Sequence, residues 1–140
     1  METGLVNQTV EVAITSRSTS SAGAAGLLSQ VSPSWSVHMI WVGLYADGTI
    51  EIYRLLNDTW DASPHASAGA SGSRDSSIDR RLTFIVSGAT GTVQVDGVTI
   101  LSNINLGASP PSDATLAGIY VDTSDASSAN WPMIESFHSR

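Results

Sequence analysis

The sequence predicts an all-β protein, an antiparallel two-sheet sandwich, with residues 1–140 forming a single domain. Three observations carry the prediction. Apolar and polar residues alternate with period two through several runs, the pattern of strands with one buried face. Gly, Asp and Pro recur between those runs at short intervals, as turns do. No segment repeats apolar residues at i, i+3, i+4 and i+7 over the length of a helix.

Val10, Val12 and Ile14 alternate with Thr9, Glu11, Ala13 and Thr15, a half-buried first strand. Residues 1–8 are expected to form an arm or an extra strand before it. A small-residue loop (16–26) leads to the apolar run Leu27–Val31. The segment 35–45, "WSVHMIWVGLY", is the most hydrophobic. Trp35, Val37, Met39, Trp41 and Tyr45 share one parity, and Ile40, Val42 and Leu44 share the other. A strand apolar on both faces is central or covered by something further. "ADGT" (46–49) is a hairpin turn. Ile50 and Ile52 continue inward, with Leu55 expected to follow, while Glu51 and Tyr53 point out. Residues 57–77 read as a long exposed loop, with room for a short strand near Trp60. In "LTFIVSGATGTVQVDGVTIL" (82–101), Leu82, Phe84, Val86, Val93 and Val95 point inward, and Gly88, Gly91 and Asp96-Gly97 mark the turns. Loops at 105–117 and 123–132 flank a strand at 118–122, and 133–139 is a terminal strand.

A chain of 140 residues buries roughly two-thirds of its unfolded surface, enough for one core. Charged residues make up 14% and the net charge is −7. The basic residues are six Arg with no Lys. With no basic run, nucleic-acid binding is not expected. An acidic surface is repelled by anionic membranes, and no stretch reaches the ~20 apolar residues of a membrane helix, so no membrane insertion is expected. There is no Cys, which excludes disulfides and thiolate metal sites. "METGLVNQ" has no basic, apolar-cored leader, so no signal peptide is expected.

The order of "GLLSQV" (26–31), "ADGTIEIYRL" (46–55), "RLTFIVSGATGTVQVDGVTIL" (81–101), "LAGIYVD" (116–122) and "IESF" (134–137) resembles the concanavalin A-like jelly roll of the laminin-G and pentraxin kind. The resemblance extends over about residues 9–138. It is nearest in flavour to modules of minor tail, decoration and other virion-surface proteins of actinobacterial tailed phages. Modules of that kind carry additional strands ahead of the segment matching 9–15. The sandwich is therefore expected to be smaller, truncated at its N-terminus, or completed by a neighbouring subunit.

Glycosidases of that fold carry carboxylates at alternate positions of one strand, close enough to act as acid and nucleophile. Glu11, Glu51 and Glu135 instead stand alone on separate strands. There is no Gly-x-Ser-x-Gly elbow, and His38, His65 and His138 are far apart, so no triad is indicated. No catalytic residue and no enzyme activity are expected. No cofactor is called for. The resemblance implies calcium as the metal a loop rim would hold, with Asp122 and Asp125 as ligands and Asp58 and Asp61 flanking Trp60, although Asp also favours turns by itself.

Sugars stack on exposed aromatic rings and are oriented by carboxylates and amides. Trp60 with Asp61, His65 nearby, Tyr53, and Trp131 with Asn130 are candidate contacts for a ligand or partner. The alternative is that the two tryptophans fold back as lids over the sandwich ends. Trp35, Met39 and Trp41 are expected in the core or at an interface with a second chain. Two functions follow, in order. The first is a non-enzymatic, homo-oligomeric virion-surface protein, made in the host cytoplasm and held to other virion structural proteins by apolar burial. The second is a carbohydrate- or receptor-binding module whose partner is a host-surface glycan.

Overall fold

The computed structural model describes residues 7–16, 24–32, 38–45, 48–69, 80–107, 116–121 and 132–139. Among them are eleven strands and no helix. They are β1 (Gln8–Ser16), β2 (Ala24–Val31), β3 (His38–Tyr45), β4 (Ile50–Leu56), β5 (Thr59–Trp60), β6 (Ala66–Ala68), β7 (Arg80–Ser87), β8 (Thr90–Val95), β9 (Val98–Asn105), β10 (Leu116–Val121) and β11 (Pro132–Ser139). One sheet has five strands in the order β11-β1-β7-β8-β9, and the other has six, β10-β2-β3-β4 with β5 and β6 both on the outer edge of β4. Every pairing is antiparallel.

Turn chemistry sets the hairpins. Asp96 and Gly97 both take positive φ, 52° and 80°, between β8 and β9. Asn57 and Asp58 do the same, at 48° and 66°, between β4 and β5. Two consecutive left-handed residues match the twist of the flanking strands, which is why Asn, Asp and Gly occupy such turns.

The alternation predicts the core correctly on most strands. Val10, Val12 and Ile14 face Leu82, Phe84, Val86, Val93 and Val95 from their own sheet, and Leu27, Ile40, Val42, Leu44, Ile50 and Ile52 from the opposite one. Phe84 and nearly all of these are fully buried. At ~25 cal/mol per Å² of apolar area, such burial is the dominant stabilising term. The core closes between two sheets supplied by this chain. Gln8 bridges them: its Oε1 accepts from Ser29 Oγ at 2.6 Å and from the Gln30 N–H at 2.8 Å.

Two expectations are corrected. Leu55 does not point inward. Strict alternation from Ile50 and Ile52 gives the inward position to Arg54, and Leu55 joins a second cluster on the outer face of the six-stranded sheet with Leu28, Val31, Met39 and Trp41. In the stretch 57–77 the short strand near Trp60 is present as β5, but a second strand, β6, was not expected, and both return along β4. Ala66-Ser67-Ala68 has no β-propensity to announce it, and pairing with Ile50–Ile52 forms that strand. Residues 70–79 lie outside the described residues.

Candidate functional site

The outer face of the six-stranded sheet has an aromatic centre. Trp41 and Tyr45 on β3 and Tyr53 on β4 project from it, because odd-numbered positions of these two strands face away from the core. Trp41 is directly cross-strand from Tyr53. Their ring centroids are 5.4 Å apart with planes at 50°. Tyr45 meets Trp41 edge-on, with centroids 6.4 Å apart and planes at 84°. The indole fits there because the intervening outward residue is Gly43: a Cβ at that position would lie 2.4 Å from Cη2 of Trp41. Trp41 is 9% exposed, so it supports the surface, while Tyr45 and Tyr53 are half-buried and reach it.

Polar groups border these rings. Glu51 precedes Tyr53 on the same face of β4 and accepts a hydrogen bond from its hydroxyl; burial, the Glu51 charge and that bond together push the Tyr53 hydroxyl above its ordinary range. Ser67 of β6 stands cross-strand from Glu51. Trp60 of β5 stands cross-strand from Leu55 and is 48% exposed. The face thus offers aromatic rings, a carboxylate and a hydroxyl along β3, β4 and the β5–β6 edge.

That edge is stapled at two points. Between Trp60 and Ala66 it takes six residue steps where β4 takes three, so residues 61–65 bulge opposite Tyr53. Asp61 holds one end: its Oδ2 accepts from the Arg54 backbone N–H at 2.8 Å and from Nε at 3.0 Å, and Oδ1 accepts from Nη2 at 3.0 Å. The Arg54 side-chain bond lowers the Asp61 carboxyl against the opposing effect of burial, helped by the Arg54 backbone bond and by the charges of Arg54 and His65. His65 holds the other end, donating its backbone N–H to the Ile52 carbonyl at 2.8 Å and Nε2–H to the Asn105 carbonyl at 2.5 Å.

Of the residues singled out from sequence, Tyr53 and Trp60 therefore share the outer face, with Trp41 and Met39 beneath. Asp61 and His65 do not join them; both are committed to bonds that secure the edge. Trp35, Asp122, Asp125, Asn130 and Trp131 lie outside the described residues. Tyr45, Glu51, Gly43 and Ser67 were not anticipated as a site. The signal for three of them was present: Tyr45 and Gly43 have the parity of Trp41, and Glu51 that of Tyr53.

Elsewhere, Glu11 lies on the outer face of the five-stranded sheet, in a hollow with Thr9, His138 and Ser139. Burial there favours the neutral acid, but bonds from Arg81 and Thr83 and the charges of Arg81 and His138 prevail and lower its carboxyl. Glu11 and Glu51 thus sit on opposite outer faces. The histidines are equally dispersed: buried His38 donates Nδ1–H to the Gln30 carbonyl at 3.0 Å between β2 and β3, far from His65 and His138. Among the described residues no three His, Asp or Glu side chains gather as a metal site, and no helix is long and apolar enough to cross a membrane.

No protein-family model matches the chain, and no curated protein matches it in sequence. Solved structures do match. The carbohydrate-binding module CBM66 of Bacillus subtilis is similar with a TM-score of 0.66 at 12% identity, covering 95% of this chain and 74% of the module. Galectin LEC-6 of Caenorhabditis elegans gives 0.65 at 11%, covering 100% of this chain and 86% of the galectin. A β-glucanase of Bacillus licheniformis gives 0.54 at 9%, covering 81% of this chain and 50% of the enzyme. At such identities the likeness concerns the fold, which is the jelly-roll sandwich expected from sequence. Nothing in these matches connects the chain with phage virion proteins.

Proposed function

We infer that the protein is a non-enzymatic carbohydrate-binding module, using the outer face of the six-stranded sheet. The observation that carries this reading is the Trp41–Tyr53–Tyr45 aromatic group beside Glu51. Rings placed this way present apolar area to the C–H faces of a sugar, and a carboxylate bordered by hydroxyls accepts from its O–H groups. Apolar and aromatic side chains with a few placed polar groups are the usual lining of small-ligand sites. The likeness to a carbohydrate-binding module in the same sandwich supports the same reading. A hydrolase would need two facing carboxylates, whereas Glu11 and Glu51 are on opposite sides of the molecule. A virion-surface role has no support beyond the resemblance noted in the sequence.

A glycan array tests the proposal. The wild-type chain should bind a subset of glycans, Tyr53→Ala should lose them, and Thr99→Ala, on the exposed strand β9 of the other sheet, should retain them. Absence of any bound glycan, or binding that survives Tyr53→Ala unchanged, overturns it.

A further inference from the structure

We propose that this face selects neutral glycans and rejects acidic ones, with Glu51 as the selecting residue. The proposal rests on the carbohydrate-binding reading above and specifies its ligand class.

The electrostatics of the face lead there. Glu51 is the one charged side chain on the outer face of β3, β4, β5 and β6 among the described residues. The described basic side chains all lie elsewhere: His38, at the start of β3, takes the inward parity with its Nδ1 on the Gln30 carbonyl, and His138 belongs to β11 of the other sheet. Arg54 takes the inward parity of β4 and is held by Asp61 and by the Leu106 carbonyl, to which Nη1 donates at 3.3 Å. Arg80 and Arg81 belong to β7 of the other sheet. His65 turns its Nε2 to the Asn105 carbonyl at the end of β9, also in the other sheet. A sialic acid, uronic acid or sulfated sugar laid on the rings would bring its anion toward Glu51 with no described cation to receive it. The whole chain adds the same sign, −7.

The hydrogen-bond inventory agrees. An ionised carboxylate only accepts, and a neutral sugar supplies hydroxyl donors in abundance. Glu51, on the outward parity of β4, accepts from the Tyr53 hydroxyl, and a carboxylate has further lone pairs beyond the one that bond uses. An anionic group offers acceptors to an acceptor, so repulsion and mismatch act together. Specificity of this kind comes from a penalty on the wrong ligand as much as from attraction to the right one.

The test is an array carrying neutral glycans together with sialylated, sulfated and uronic-acid glycans, probed with wild type and Glu51→Gln. Gln keeps a carbonyl acceptor for the Tyr53 hydroxyl and removes the charge. Wild-type signal should fall on neutral glycans and stay insensitive to salt. For a neutral glycan and its acidic derivative, Glu51→Gln should shift the ratio toward the acidic one by about tenfold, the scale of one partly screened like-charge contact. Wild-type binding to acidic glycans equal to or above neutral ones overturns the selectivity while leaving the binding module intact. So does a ratio that Glu51→Gln leaves unchanged. No binding to any glycan overturns the module itself and this inference with it.

Discussion

The indole of Trp41 occupies the space above Gly43, with Cη2 and Cζ2 2.4 and 2.5 Å from where a Cβ would stand. One residue without a side chain thus allows the largest side chain of the strand to lie along the sheet, against Tyr53 and Tyr45. Gly43→Val should expel the indole from that position. The expected result is a loss of about 1–3 kcal/mol of stability, as for other overpacked sites. Near-UV circular dichroism should lose the coupled Trp–Tyr signal while far-UV strand content persists. An unchanged near-UV spectrum would show that the ring is not held there.

Asp61→Asn tests the staple on the edge strand. Both partners are mostly buried, with side-chain exposures of 17% for Arg54 and 20% for Asp61. Removing the charge should cost about 1–3 kcal/mol at neutral pH. The carboxyl is lowered in the folded state, chiefly by the Arg54 side-chain bond. Its contribution is therefore fully present above the unfolded carboxyl pKa of about 3.9 and disappears as pH falls through the lower folded value. Thermal melts should show the wild-type advantage over Asp61→Asn narrowing below about pH 4. A gap that widened on acidification would contradict the assigned direction.

Phe84 is the largest fully buried side chain among the described residues. Its ring lies against Gly91 on the neighbouring strand, where a Cβ would stand 2.7 Å from Cε2. Phe84→Ala should cost about 3–5 kcal/mol and Gly91→Ala about 1–3 kcal/mol, measured by urea unfolding. The pair should be non-additive, because the smaller residue at 84 leaves room for the added methyl group at 91. Additive losses would place the ring elsewhere.

Gln8→Leu removes the acceptor that Ser29 Oγ and the Gln30 N–H both use across the two sheets. Gln30 itself has φ of 51°, a bulge conformation this contact helps to fix. The expected loss is about 1–3 kcal/mol, with faster amide exchange at residues 29–31 than in β7. Protection at Gln30 equal to wild type would separate the bulge from Gln8.

Much of the sandwich was legible because period two is a direct consequence of strand geometry. Val10, Val12 and Ile14, or Leu82, Phe84 and Val86, have only one way to hide together. Leu55 was misread because apolar character alone suggested the core, whereas its odd parity sets its face. β6 was invisible, since Ala-Ser-Ala becomes a strand only by pairing with β4. The candidate site was half legible. Trp60 and Tyr53 were recognisable as contact residues. Asp61 and His65 have the right chemistry for a ligand, but their proximity to Arg54 and Asn105 depends on the path of the edge, which no local pattern encodes. The run 38–45 is apolar on both faces because each side of β3 has its own cluster, one in the core and one around Trp41.

Backbone amide chemical-shift mapping with a glycan identified on the array is the most direct measurement. Perturbations should concentrate at residues 41–45 of β3, 51–55 of β4 and at Trp60, and Tyr53→Ala should abolish them. Shifts gathered instead on β1, β7 and β11, around Glu11 and His138, would place recognition on the opposite sheet and contradict the assignment.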